Sequence, residues 1–203
     1  MHTPRMDDTT PRRSSRVAVF LAALSVPPVA IVAHELGHHT AHTVFGYSQP
    51  SLSYDGASVG PPPAGANVRL VDGVSFAAGT MVSLVIVAAV AWRRVPWVLA
   101  LAVVVFECMR AVLGLASAVA EKGAAALLGG AGELRYLARA VDGPPIAGVV
   151  LQFVELAIPI AVATVVIHRV PHAGRRATVG IAVVGSALGL AAWLTVLGPL
   201  LLP

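Results

Sequence analysis

Apolar residues gather into five long runs: Val17 to Phe45, Phe76 to Trp92, Trp97 to Ala120, Ile146 to Ile167 and Ala177 to Leu202. Each is close to the roughly 20 residues of helix that cross a hydrocarbon layer. Helices are the expected spanning elements, because lipid offers no hydrogen-bond partner to an open backbone. The pattern predicts an all-α integral membrane protein, a bundle of about five transmembrane helices. Pro27 and Pro28 fall inside the first run and predict a kink or a split there, since proline lacks the backbone donor.

Two intervals between the runs are long. Gly46 to Ser75 contains Asp55-Gly56, Gly60 followed by Pro61, Pro62 and Pro63, then Gly65 and Asp72-Gly73. These are turn signals. They predict a loop or small hairpin after the first helix, with a stretch such as Val68 to Val71 extended. Glu121 to Pro145 is rich in Gly and Ala and predicts a short helix from Glu133 to Ala140. Residues 1–16 are polar and basic and predict a disordered tail, leaving 17–203 as one membrane domain. The run from Val17 shows no small-residue cleavage site, so it is expected to be retained.

Composition agrees with the hydropathy pattern. Of 203 residues, 57% are hydrophobic and 12% charged, against about 25% charged in soluble domains. Mean hydropathy is +0.80. That leaves too little polar surface for a water-soluble particle. The net charge of +4 comes from arginine, with Lys122 the exception among the basic residues. Clustering between apolar runs fits membrane orientation and not nucleic-acid binding. Arg5, Arg12, Arg13, Arg16, Arg93, Arg94, Arg169, Arg175 and Arg176 fall on one side. Arg69, Lys122, Arg135 and Arg139 fall on the other. The positive-inside rule then predicts a multi-pass protein of the cell membrane with a cytoplasmic N-terminus. Cys108, the single cysteine, reads as a small buried hydrophobe.

Chemistry concentrates at the end of the first run, in His34-Glu35-Leu36-Gly37-His38. Histidines four apart lie on one face of a helix, and two imidazoles so placed can reach one zinc ion at about 2.0–2.1 Å. Glu35, beside the first histidine, is the candidate general base for a metal-activated water that attacks a polarised carbonyl. Gly37 is expected to leave the helix surface open beside the metal. Ionisable groups in an apolar segment are functional by default, which favours a site over a histidine-bearing helix end. His42 stands about 12 Å from His34 along a helix, too far to share one ion. His39 and His42 are therefore expected around the site and not in it. A third ligand must come from elsewhere. Glu107, Glu121, Glu133, Asp142 and Glu155 are the candidates, with Glu133 and Asp142 in the loop expected at the same membrane face. Glu107 can instead pair with Arg110, one turn on.

The chain here resembles the site-2 protease family of intramembrane zinc metallopeptidases. The resemblance rests on His34-Glu35-Leu36-Gly37-His38 and on Ala77-Ala78-Gly79-Thr80 followed by Ser83, a partial match to the family's Ala-Ala-Gly-Pro and later Asn. It implies a strand-forming loop between those helices, able to hold unwound substrate by β-addition. The family's third ligand is an Asp in an Asn-Pro-rich stretch ending in Asp-Gly. Asp142-Gly143 reproduces only the dipeptide, and similarity to compact members favours Glu133, with Asp142 the runner-up. The family places its metal nearer the cytoplasmic face, whereas the arginines here point to the outer one. A split at Pro27-Pro28 would reconcile the two.

The expected function is a zinc-dependent intramembrane endopeptidase acting on a membrane-protein substrate. The alternative is a catalytically silent zinc-binding scaffold or regulator. A metal transporter would need polar residues along several helices, and only Glu107, Arg110 and Glu155 qualify. Gly185 and Gly189 have a spacing that lets helices approach closely, which serves packing in the bundle or a homo-oligomer equally well.

Overall fold

The computed structural model describes residues 13–54, 56–92, 94–123 and 132–202. Most of the expected tail, with Arg5 and Arg12, lies outside them, as do Asp55 and Arg93. The chain is an all-α bundle with one small hairpin. Helix α1 is Arg13–Val44, followed by strands β1 (Ser51–Ser53) and β2 (Gly56–Ser58). Helices α2 (Val68–Ala91), α3 (Trp97–Lys122), α4 (Arg135–Ala140), α5 (Pro145–Arg169) and α6 (Arg175–Ala192) come next. A π-helical turn, Trp193–Leu197, and α7 (Gly198–Leu201) close the chain. Five helices are long and apolar enough to cross a membrane. Large apolar side chains such as Leu21, Val29, Val85 and Ile160 are exposed, as lipid-facing positions of a membrane bundle are.

The boundaries correct the sequence pattern in two places. Helix begins at Arg13, inside the stretch expected to be a disordered tail. Helix α2 begins at Val68, so Val68 to Val71 is not extended. The Asn67 side chain explains this start, because its Oδ1 accepts the Leu70 N–H at 3.2 Å and caps the helix. Asp72-Gly73 carries a turn signature yet lies within α2 for tertiary reasons. Asp72 accepts a hydrogen bond from the Tyr47 hydroxyl. Gly73 lets α4 approach so closely that a Cβ there would lie 2.7 Å from the Tyr136 carbonyl oxygen.

Helix α1 runs unbroken through Pro27 and Pro28, so no split occurs. Two prolines free the carbonyls of Ala23 and Leu24 from the helical ladder. α6 covers that side of α1. A Cβ on Gly189 would run into the Leu24 carbonyl oxygen, and one on Gly185 would meet Ala23 Cβ at 2.9 Å. The glycine pair therefore lets α6 pack closely on α1 within the bundle. At 32 residues, α1 is about 48 Å long.

The bundle is unlike at its two ends. The apolar core is built from Val19, Ala23, Val26 and Ala30 of α1, Ala100 to Phe106 of α3, Val166 of α5 and Ala182 of α6. These come from the N-terminal and middle turns of α1, the N-terminal halves of α3 and α6 and the C-terminal half of α5, which meet toward one end. Arginine closes that end. Arg169 donates to the carbonyls of Val90, Ala91 and Trp92 at the C-terminus of α2, where helix carbonyls lack partners. The opposite end carries the polar residues. There β1 pairs antiparallel with β2, Leu52 opposite Ala57, and the hairpin is tied to the C-terminal segment. Trp193 Nε1 donates to the Tyr54 carbonyl at 2.9 Å.

Candidate metal centre

His34 and His38 are buried on the face of α1 that meets α2. Their Nε2 atoms lie 3.2 Å apart. The other ring nitrogens are held from α2: His38 Nδ1 donates to the Ser75 carbonyl at 2.7 Å, and His34 Nδ1 pairs with Ser83 Oγ at 3.2 Å. A carbonyl can only accept, so the neutral His38 ring carries its proton on Nδ1 and turns a bare Nε2 lone pair inward. Fixing the distal nitrogen in this way is how metal-ligating histidines are oriented.

Glu133, just ahead of α4, completes the cluster. One carboxylate oxygen lies 3.3 Å from His34 Nε2 and the other 3.6 Å from His38 Nε2. Tetrahedral zinc with donors at about 2.0–2.1 Å has donor–donor edges of about 3.3–3.4 Å. The 3.2 Å between the two imidazole nitrogens fits that figure, and Glu133 reaches the pair through two different carboxylate oxygens at 3.3 and 3.6 Å; His34, Glu35 and His38 also form a group that could hold a metal ion.

Other groups hold Glu133 in place. Thr80 Oγ1 donates to its Oε2 at 2.7 Å. The backbone N–H of Glu133 donates to Glu155 Oε2 at 3.0 Å, and that of Leu134 to the same oxygen at 3.4 Å. Burial opposes ionisation of Glu133, but hydrogen bonds from His34 and His38, formed when the rings carry a proton on Nε2, outweigh it and hold the carboxyl well below the usual carboxylate range. Glu35 is half-buried, and its carboxylate lies within 4.8 Å of the ligand atoms of both histidines.

Glycines set the approach of α1 to α2. A Cβ on Gly79 would run into His38 Nε2 and lie 2.8 Å from His34 Nε2. Gly37 does not open the helix surface beside the metal as expected. It packs on α2, where a Cβ would lie 2.9 Å from the Ala78 carbonyl oxygen.

The remaining candidates lie elsewhere. Asp142 forms an exposed ion pair with Arg69 and makes no contact with the histidines. Its left-handed backbone (φ 53°) lets the chain turn after α4. Glu107 pairs with Arg110 at 2.9 Å, and Glu121 lies near Ser117 on α3. His42 packs edge-on against Tyr47, ring centroids 5.1 Å apart. Burial, then the hydrogen bond to Asp72, push the Tyr47 hydroxyl up to about 12. Sequence reasoning missed Ser75, and it marked Gly79 and Thr80 only as part of a motif match, without their roles beside the histidines. A further signal for Gly79 was its place inside a strongly apolar helix, where alanine would be preferred.

Compared with known proteins, the chain matches no family model, no curated protein and no solved structure. The side-chain geometry therefore carries the functional conclusion by itself.

Proposed function

We propose that the protein is a multi-pass zinc endopeptidase that hydrolyses a membrane-embedded or juxtamembrane peptide bond of another membrane protein. One observation carries this reading: the Nε2 atoms of His34 and His38 lie 3.2 Å apart with the Glu133 carboxylate at 3.3 and 3.6 Å, and Glu35 stands beside them. His34, His38 and Glu133 would hold the ion. Zinc, when bound there, supplies Lewis acidity that polarises a carbonyl and acidifies a water. Glu35 takes a proton from the attacking water and returns it to the leaving amine as the C–N bond breaks. Ser75 and Ser83 orient the imidazoles, while Thr80 and Glu155 fix Glu133. The reading agrees with the resemblance to the site-2 protease family, with Glu133 standing where the family uses an Asp.

The test is reconstitution with a synthetic transmembrane substrate. Wild type should purify with about one zinc per chain, in line with a three-residue donor set, and cleave the substrate. Glu35→Gln should keep zinc and lose cleavage. Wild-type protein that purifies natively without metal would falsify the proposal.

A second reading is a catalytically silent zinc-binding scaffold. It is favoured by the way Glu133 already pairs with both imidazoles, which joins α1 to the segment ahead of α4 without any substrate. Zinc retention without cleavage by wild type would select it.

Orientation follows from the arginines. We place the N-terminus in the cytoplasm of the cell membrane and the centre toward the opposite face. That α1 runs unbroken through Pro27 and Pro28 supports a single crossing before the centre. Reporter fusions near Arg94 and at residues 171–174 should both read cytoplasmic; two external readings overturn the assignment.

A further inference from the structure

Helix α4 packs on both α2 and α5. Between the three lies a groove lined only by apolar residues, among them Leu70 and Val74 of α2, Leu137 of α4, and Val150 and Leu151 of α5. Ala138 and Gly143 line this groove and also a second pocket, where Arg69, Arg135 and Arg139 stand with no acidic residue in the lining. The arginine pocket therefore opens directly onto the groove. Arg69 starts α2, and Arg135 and Arg139 belong to the short helix ahead of α5. The charges thus sit at the boundary of two spans, and the groove runs from them along the first turns of each.

Arg135 calls for an anion. Its relative exposure is 8%, and no carboxylate among the described residues pairs with it. Its Nη2 donates to the Tyr136 hydroxyl at 3.1 Å, and its guanidinium lies 4.8 Å from the centroid of that ring. Neither contact supplies a negative charge. Its Nε is buried and finds no acceptor among the described residues. Buried charges are ordinarily paired and hydrogen-bonded, because desolvation is otherwise uncompensated. Arg139, exposed in the same pocket, has no carboxylate partner among the described residues either. Arg69 is neutralised by Asp142, so the surplus positive charge belongs to Arg135 and Arg139. An exposed arginine at a membrane boundary needs no ligand; a buried one beside it does.

The pocket and the groove together describe one molecule, with a phosphate at the boundary and hydrocarbon beneath it. A guanidinium presents paired donors that match phosphate oxygens. The groove has no polar group for a tail to desolvate. Surplus positive charge favours an anionic headgroup over a zwitterionic one. We propose that Arg135 and Arg139 bind the phosphodiester of an anionic phospholipid, one acyl chain of which lies in the groove between α2, α4 and α5. Bound there, the lipid would tie α4 to two spans, two residues after Glu133. The site needs no zinc and does not rest on the hydrolytic reading.

Photo-labelling of the reconstituted protein tests this. Phosphatidylcholine vesicles would carry a trace of phosphatidylglycerol with a diazirine in one tail, or of phosphatidylcholine with the same tail, and labelled residues would be mapped by mass spectrometry. The anionic probe should label Val150 and Leu151 at least about fivefold more than the zwitterionic one, the size of one arginine's attraction to anionic lipid. Val85, exposed about three turns beyond Val74 on α2, should take both probes equally. Arg135→Gln and Arg139→Gln should each remove most of the preference. Arg139 is exposed, so its variant tests the site even where Arg135→Gln fails to fold. Millimolar inorganic phosphate at constant ionic strength should leave labelling unchanged. Equal labelling of the groove by both probes, or a preference that survives Arg139→Gln, overturns the proposal. Labelling by neither probe does so too, since protein then covers the groove. Displacement by inorganic phosphate also overturns it, since the anion alone is then recognised.

Discussion

Gly79 on α2 faces His38 on α1 with no room between them for a methyl group, since a Cβ at 79 would run into His38 Nε2. Gly79→Ala should therefore displace the imidazoles without unfolding α2. Alanine favours a helix interior by roughly 0.5–1 kcal/mol over glycine, so secondary structure should be kept. The expected outcome is a zinc affinity at least about tenfold weaker with unchanged helical circular dichroism; unaltered zinc binding would mean that the helix contact is looser than described.

Zinc content should separate the two loop acids. Glu133 touches both imidazoles, whereas Asp142 is engaged with Arg69 at the surface. His34→Ala, His38→Ala and Glu133→Gln should each yield metal-free protein after brief chelation, and Asp142→Asn should retain the ion like wild type. Loss in Asp142→Asn with retention in Glu133→Gln would reverse the assignment.

Glu155 acts at one remove, through the backbone of residues 133 and 134. Changes to groups that orient a metal ligand commonly weaken affinity about 10–100-fold. Glu155→Leu, which removes both hydrogen bonds, should fall in that range. Glu155→Gln keeps an acceptor oxygen and should recover most of the loss. Equal damage from both variants would point to the charge of Glu155 and not to its hold on the loop.

Hydropathy alone marks the five spanning helices because lipid imposes one rule on every residue of a span. The pair His34 and His38 is equally legible, since a spacing of four has a fixed meaning on a helix. Glu133 stands 99 positions from His34, and no periodicity links positions so far apart; only the resemblance favours it over Asp142. Ser75 contributes a carbonyl, which every residue has, so its role leaves no trace in the sequence. Asp72-Gly73 misleads for the opposite reason. Its local turn preference is overridden by Tyr47 and by close packing of α4 on α2, both contacts at a distance.

Glu107 and Arg110 form an ion pair inside the third span, with Glu107 almost fully buried. Removing one partner strands a charge and costs about 3–5 kcal/mol, while replacing both with apolar residues is often neutral. Arg110→Met should lower thermal stability in detergent sharply. The double variant Glu107→Met, Arg110→Met should recover most of that loss. A double variant as unstable as the single one would show that the two side chains do more than neutralise each other.

The length of α1 has a bearing on where water meets the site. Measured along the helix from Arg16, His34 lies about 27 Å away and His38 about 33 Å. A hydrocarbon layer is about 30 Å thick. With Arg16 anchored at one boundary, the two imidazoles straddle the other, half a turn inside it and half a turn beyond. Hydration of the centre then depends on the acyl chains around it. Lengthening those chains by a few carbons should draw both histidines into oil and slow turnover without touching a single side chain, which makes lipid thickness a dial on the chemistry.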